Sequence, residues 1–494
     1  MKNKKNIIFV IILAAMAKGI GLLRDIVITH QIGFNYITDA IFVVLPLILL
    51  LFSVFNTVIK TAFRPLFAAK YLEEPMKAIH EFKIIRNSMV IILSIIILFI
   101  FLFPGLIINL LVPGLDSQSK VVSISLLQYS IISLIFIGLA NIYNGFLQSM
   151  QVYGSEQFVS LINNTIFIII LFVMYDSYGI SAVAIAIIIG SVMQYIYMKI
   201  RFELKTVKSE KNLKIDLKSL SHFFIENRLI IYGGTISQLT VIIDKFCASF
   251  FEVGSISALH YANILKNLPI TIVLMIVTNI YFTNLSIDFK KDKERFYKSV
   301  VKQSEMLLIF IIPVVIFFIV NAEYIVDILF NRGDFDPTGV VMISNALIAY
   351  TFVLLFWSFK EVFTKAFYAA NNRLIPFLIS INSLLLNFIL NLILGYYLSY
   401  IGIALATSIS TLVNGILIAV LFNIKIKRII CKAQFVFIIK IFTIGIIIFL
   451  IINYFNSILD FRIYINLILN SFILFLTYGI SILAFKINKG SVKN

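Results

Sequence analysis

Apolar runs of membrane-spanning length recur along the whole chain, parted by short polar breaks, and nothing else in it restricts the fold so strongly. With a window of about 20 residues, about fourteen spans are expected, centred near residues 17, 50, 98, 135, 167, 190, 240, 270, 310, 352, 386, 412, 445 and 474. A water-soluble domain of 494 residues needs a polar shell, yet 61% of the side chains are hydrophobic and 13% are charged. The solvent must be lipid, and the expected fold is an all-α polytopic membrane protein.

The net charge of +17 could suggest nucleic acid. The cations, however, fill alternate breaks: Lys70, Lys77, Lys83 and Arg86, then Arg201 to Lys218, then Lys290 to Lys298, then Lys425 to Lys432. The intervening breaks hold Lys120, Arg332 and Arg462 among acids such as Asp116, Asp176, Glu252, Asp334 and Asp336. This is the pattern of cytoplasmic loops under the positive-inside rule, with both termini cytoplasmic, and no basic face with interleaved aromatics marks a nucleic-acid partner. Cys247 and Cys431 lie far apart without metal-ligand spacing, so neither disulfide scaffolding nor a metal or other cofactor is expected. Met1 to Lys5 and the apolar run after it resemble a signal peptide, but with many more spans following they read as a retained first helix.

An internal repeat emerges at an offset of about 220 residues, of the kind transporters carry. Arg24-Asp25 before Gly33 matches Asp244-Lys245 before Gly254, Pro46 matches Pro269, and Gly179 to Ala184 matches Gly402 to Ala406. Six helices per copy return the chain to its starting side, so the copies are expected to be parallel. The division is an N-terminal lobe over residues 1–204, a basic linker over 205–228, a second lobe over 229–428 and a helix pair over 429–494, with a cavity between the lobes.

A charge at the bilayer centre costs about 2.5 to 3.5 kcal/mol on insertion scales, so such residues should face protein or water. Helix 1 carries Lys18, Arg24 and Asp25; helix 2 begins with Asp39 and continues through Lys60 and Arg64; helix 8 carries His260, Asn263, Lys266 and Asn267. Asn and Ser stripes on helices 4 and 11 serve equally well as glue between helices. Lys60 and Arg64 have the alternative of snorkelling to the cytoplasmic interface, and Glu361 with Lys365 is a self-neutralising i, i+4 pair. Asp25 and Asp39 neutralise only part of the charge on helices 1 and 2. The surplus predicts an anionic ligand, and a diphosphate suits the bidentate fork of Arg24.

At Lys18-Gly19-Ile20-Gly21-Leu22-Leu23-Arg24-Asp25, Thr38-Asp39-Ala40 and Ala62-Phe63-Arg64-Pro65, and again at Leu329-Phe330-Asn331-Arg332-Gly333-Asp334-Phe335, the chain resembles the MurJ (MviN) family. That family of lipid II flippases lies within the superfamily of polysaccharide exporters and multidrug antiporters. The resemblance implies fourteen helices in two six-helix lobes plus a final pair, and cavity positions for Lys18, Arg24, Asp25 and Asp39. The sequence departs from the family pattern at Leu51 and Phe52, where an Arg is typical, and at Ile264 and Asn267, where Arg and Glu are. Lys60 and Lys266 are the candidates to supply the missing charge.

The function expected is that of a flippase, not an enzyme: an undecaprenyl-diphosphate-linked cell-wall precursor crosses to the outer leaflet by alternating access. The substrate site would comprise Lys18, Arg24, Asp25, Asp39, Lys60, Arg64, Asn263 and Lys266. The partners would be the lipid-linked sugar diphosphate, membrane lipids and a coupling cation, with the protein a monomer in the bacterial inner membrane. The alternative cargo is a capsule, teichoic or O-antigen-type unit on the same carrier. A drug antiporter would want unpaired carboxylates, and a lipid-using polymerase would need acid/base carboxylates on sizeable loops; Asp334 and Asp336 read as turn residues instead.

Overall fold

Helix is the only regular element among the described residues of the computed structural model, which are 2–58, 67, 71, 73–150, 152, 154–206, 228–426, 432–458 and 463–484. In chain order the helices are α1 (Lys2–Ile32), α2 (Tyr36–Val58), α3 (Pro75–Leu102), α4 (Pro104–Leu111), α5 (Ser117–Ser130), α6 (Ser133–Ser149), α7 (Ser155–Tyr178) and α8 (Ile180–Lys205). They continue with α9 (Arg228–Ala248), α10 (Ser255–Lys291), α11 (Lys293–Phe330), α12 (Thr338–Ala369), α13 (Leu374–Lys425), α14 (Lys432–Ile458) and α15 (Ile463–Ala484). Eight of the described helices are long and apolar enough to cross a membrane, or nine if α5 and α6, bent by 53° at their break, form one span.

The punctuation follows from local chemistry. Pro75 and Pro104 open α3 and α4 at positions where a missing N–H has no intrahelical partner to lose. Asp116 caps α5 by accepting the N–H groups of Gln118 and Ser119, both at 3.0 Å. Asp336 turns the chain into α12 by accepting the Thr338 N–H at 2.9 Å, which is the turn role its sequence context suggested.

The 52-residue α13 is two helices joined at Ser399, which has φ 54 and ψ −140. Gly179, between α7 and α8, has nearly the same backbone, φ 52 and ψ −135. The sequence match had aligned Gly179 with Gly402, but the break falls three residues earlier. Gly402 answers a different demand, because a Cβ there would lie 2.0 Å from the Leu394 carbonyl oxygen.

The chain packs into two compact units, Met1–Ser257 with Arg332–Phe335, and Ala258–Asn331 with Asp336–Asn494. In the first, Phe82 and Phe146 meet the ring of Phe202 at 4.8 and 5.4 Å between centroids, and Tyr143 meets it at 5.1 Å. In the second, Phe363 and Phe367 each lie 5.4 Å from Phe422, and Phe296 lies 6.3 Å from it. Tyr143, Phe146 and Phe202 stand about 220 residues before Phe363, Phe367 and Phe422, so each unit is centred on the same aromatic cluster and the internal repeat extends into the cores.

Candidate functional site

Arg24 sits on α1 among residues that hold its guanidinium on three sides. Its Nε and Nη2 donate to Asp25 Oδ1 at 3.1 and 2.8 Å, and its Nη1 donates to Asn164 Oδ1 on α7 at 3.1 Å. Phe167, one helical turn beyond Asn164, places its ring centroid 5.7 Å from the guanidinium carbon. The Asp25 side chain is 3% exposed whereas that of Arg24 is 24% exposed. The cation is therefore oriented from within and keeps an open edge. Lys18 lies on the same helix and is exposed.

Asp39 has a different set of partners in the same unit. Its Oδ2 accepts the Gly254 N–H at 2.6 Å, and its Oδ1 accepts the Ser257 N–H at 2.8 Å and the Ser257 hydroxyl at 2.6 Å. Gly254 precedes α10 with φ +96, so Asp39 satisfies the orphan donors of that helix's first turn as a side-chain cap supplied from elsewhere in the chain. Around it the loops interlock. The Asp334 N–H donates to the His30 carbonyl at 3.3 Å. Phe34 and Phe335 lie 5.5 Å apart, and a Cβ on Gly33 would lie 2.5 Å from the Asp334 carbonyl oxygen.

In the second unit, Lys266 is 6% exposed and its ammonium stands 4.6 Å from the centroid of Tyr350 on α12. Asn263 accepts from Asn267 Nδ2 at 3.3 Å, along one face of α10. Glu361 and Lys365 pair at 3.3 Å, as their spacing suggested. The amides on the first half of α13 reach its second half: Asn387 donates to Thr407 at 3.2 Å and Asn382 to Asn414 at 2.9 Å. Those stripes hold helices together.

Arg24 and Asp25 thus form one centre, Asp39 another, and Asn263 and Lys266 belong to a separate unit; Lys60 and Arg64 lie outside the described residues. The supports of the candidate cations escaped the sequence reading. Asn164, Phe167 and Tyr350 sit within apolar runs, and the one visible signal was the adjacent amide pair Asn163-Asn164 in a helix otherwise rich in Ile and Phe.

The family model described as Lipid II flippase MurJ matches residues 28–473. The "Probable lipid II flippase MurJ" of Buchnera aphidicola subsp. Schizaphis graminum is 26% identical over 430 residues, 84% of this chain and 82% of its own length. The "Lipid II flippase MurJ" of Thermosipho africanus is 28% identical over 407 residues, 82% of each chain. A solved lipid II flippase MurJ in an inward closed conformation superposes with a TM-score of 0.85 at 26% identity, covering 97% of this chain and 98% of the other. A multidrug MATE transporter in an inward-facing conformation shares the fold at 13% identity, with a TM-score of 0.67 over 83% of this chain and 96% of its own. With a family model spanning nearly its whole length and a multi-pass helical fold to match, the chain belongs to the MurJ family of lipid II flippases.

Proposed function

We propose that this protein carries lipid II, an undecaprenyl-diphosphate-linked peptidoglycan precursor, from the cytoplasmic to the outer leaflet of the bacterial inner membrane by alternating access. Family membership supports the cargo class. The observation that carries the residue-level reading is the held but open guanidinium of Arg24.

Arg presents a planar fork of donors that matches a phosphate bidentately. Asp25 and Asn164 engage three of those N–H directions and fix the plane, so a diphosphate meets a preoriented head. Asp25 also offsets part of the charge, which moderates affinity; a translocator has to release what it binds. Lys18 adds a point charge on the same helix, and Asn263 and Lys266 are the polar and cationic contacts proposed for the second unit by itself. Asp39 acts through the geometry it imposes on Gly254 to Ser257. The two six-helix repeats, 1–204 and 229–428, exchange access, with both termini cytoplasmic, a coupling cation drawn from the medium, and the monomer as the working form.

Rescue of a bacterial strain depleted of its own lipid II flippase tests the function. The intact chain should restore growth, and Arg24→Ala with Lys18→Ala should abolish rescue at equal membrane abundance. Rescue of a strain lacking a capsule-unit flippase, with none of the first, would transfer the mechanism to another cargo on the same carrier. Undiminished rescue by the double variant would remove the residue assignment.

A further inference from the structure

Pro313 lies inside α11 and has no N–H, so the carbonyl of Ile309, four residues earlier, loses its helical partner. In an apolar surround without water such a group needs another donor, and neighbouring side chains are one source. Tyr478 on α15 supplies it: its hydroxyl donates to the Ile309 carbonyl at 2.7 Å, and the residue is 6% exposed. The contact is one rung of a series. Asn470 donates to Asn321 at 2.9 Å and Asn466 to the Tyr324 hydroxyl at 3.3 Å, so α15 runs antiparallel to α11 with its register fixed at three levels. On α14, Gly445 comes against the same stretch, where a Cβ would lie 3.1 Å from Ile312 Cγ2.

The first unit repeats the arrangement with different residues. Pro46 lies inside α2, the carbonyl it frees is that of Phe42, and the ammonium of Lys245 on α9 donates to that carbonyl. Two proline-freed carbonyls in two units thus each receive a side-chain donor from another helix.

We propose that Tyr478 is a positioning residue for transport: its hydroxyl replaces the hydrogen bond that Pro313 deletes, and the terminal helix pair thereby acts as a splint that sets the course of α11. Helix glue of the ordinary kind depends on two side chains meeting and is indifferent to the proline. The splint depends on it. Where residue 313 carries an N–H, Ile309 is satisfied within α11 and the hydroxyl becomes dispensable. The transport consequence rests on the function proposed above; the structural part does not.

The test compares Tyr478→Phe, Pro313→Ala and their combination in the full-length protein, with Pro313→Leu as a second route to the same N–H should the alanine variant fail to fold. Two readouts are taken: the distance distribution between spin labels on α11 and α15 in nanodiscs, and growth rescue of a flippase-depleted strain titrated by expression level. Tyr478→Phe should broaden the distances and raise the expression needed for rescue by about tenfold, the scale of one buried hydrogen bond. Restoring the N–H at 313 should remove the effect of Tyr478→Phe on both. Tyr478→Phe indistinguishable from the parent in the label distances, or equally harmful with and without Pro313, overturns the splint. A parent chain that rescues nothing while the distances follow the expected pattern would count against the proposed function and leave the splint standing.

Discussion

The carboxylate of Asp39 occupies, for Ser257, the place of a helix N-cap, taking its N–H at 2.8 Å and its hydroxyl at 2.6 Å from a position 218 residues away in the chain. A residue that looks from sequence like a charge facing a ligand is committed to backbone donors, and its substitution should behave accordingly. Asp39→Ala leaves the buried Gly254 and Ser257 donors unsatisfied and should cost about 2 kcal/mol. Asp39→Asn retains an acceptor for Ser257 but turns an NH2 group toward the Gly254 N–H, so its loss should be intermediate. Unfolding midpoints in detergent should rank parent, Asn, Ala; equal midpoints for all three would show that the cap is unimportant.

Arg24 depends on Asn164 for its orientation. Asn164→Leu keeps the volume of the side chain while removing the acceptor at 3.1 Å. Its binding of a diphosphate lipid should weaken about three- to tenfold. Arg24→Lys should weaken it further, because an ammonium cannot reproduce the fork. Titration of a fluorescent undecaprenyl diphosphate into nanodisc-held protein measures both, and Asn164→Leu binding as tightly as the parent would contradict the orienting role.

Ser399 and Gly179 share a backbone that an L-residue with a Cβ adopts at a cost. Ser399→Gly should therefore raise stability by about 1 kcal/mol, and Gly179→Ala should lower it by a similar amount. Thermal unfolding of the two single variants checks the pair, and the same sign of change in both would rule out the common strain.

Lys266 rests 4.6 Å from the Tyr350 ring centroid. Tyr350→Phe preserves the π face and should leave stability near that of the parent, while Tyr350→Leu should lose about 1 kcal/mol. If phenylalanine is as damaging as leucine, the hydroxyl and not the ring supports the lysine.

Much of the architecture was legible because lipid imposes a simple grammar. Length and apolarity mark helices, and the 220-residue offset that related Pro46 to Pro269 also relates Phe202 to Phe422. The i, i+4 pair of Glu361 and Lys365 could be read directly, because both partners ride on one helix.

By itself, then, the sequence determined the helical membrane fold, the repeat and which residues carry charge in apolar surroundings, since those follow from periodicity and solvent. Only tertiary structure decided what each charge meets. Arg24 finds Asn164, Asp39 finds Ser257 and Tyr478 finds the Ile309 carbonyl, each more than a hundred residues distant. Helical spacing says which face a side chain shares, but the neighbour across that face is chosen by how whole helices pack. A proline's freed carbonyl or an orphan N–H accepts whichever donor or acceptor that packing delivers.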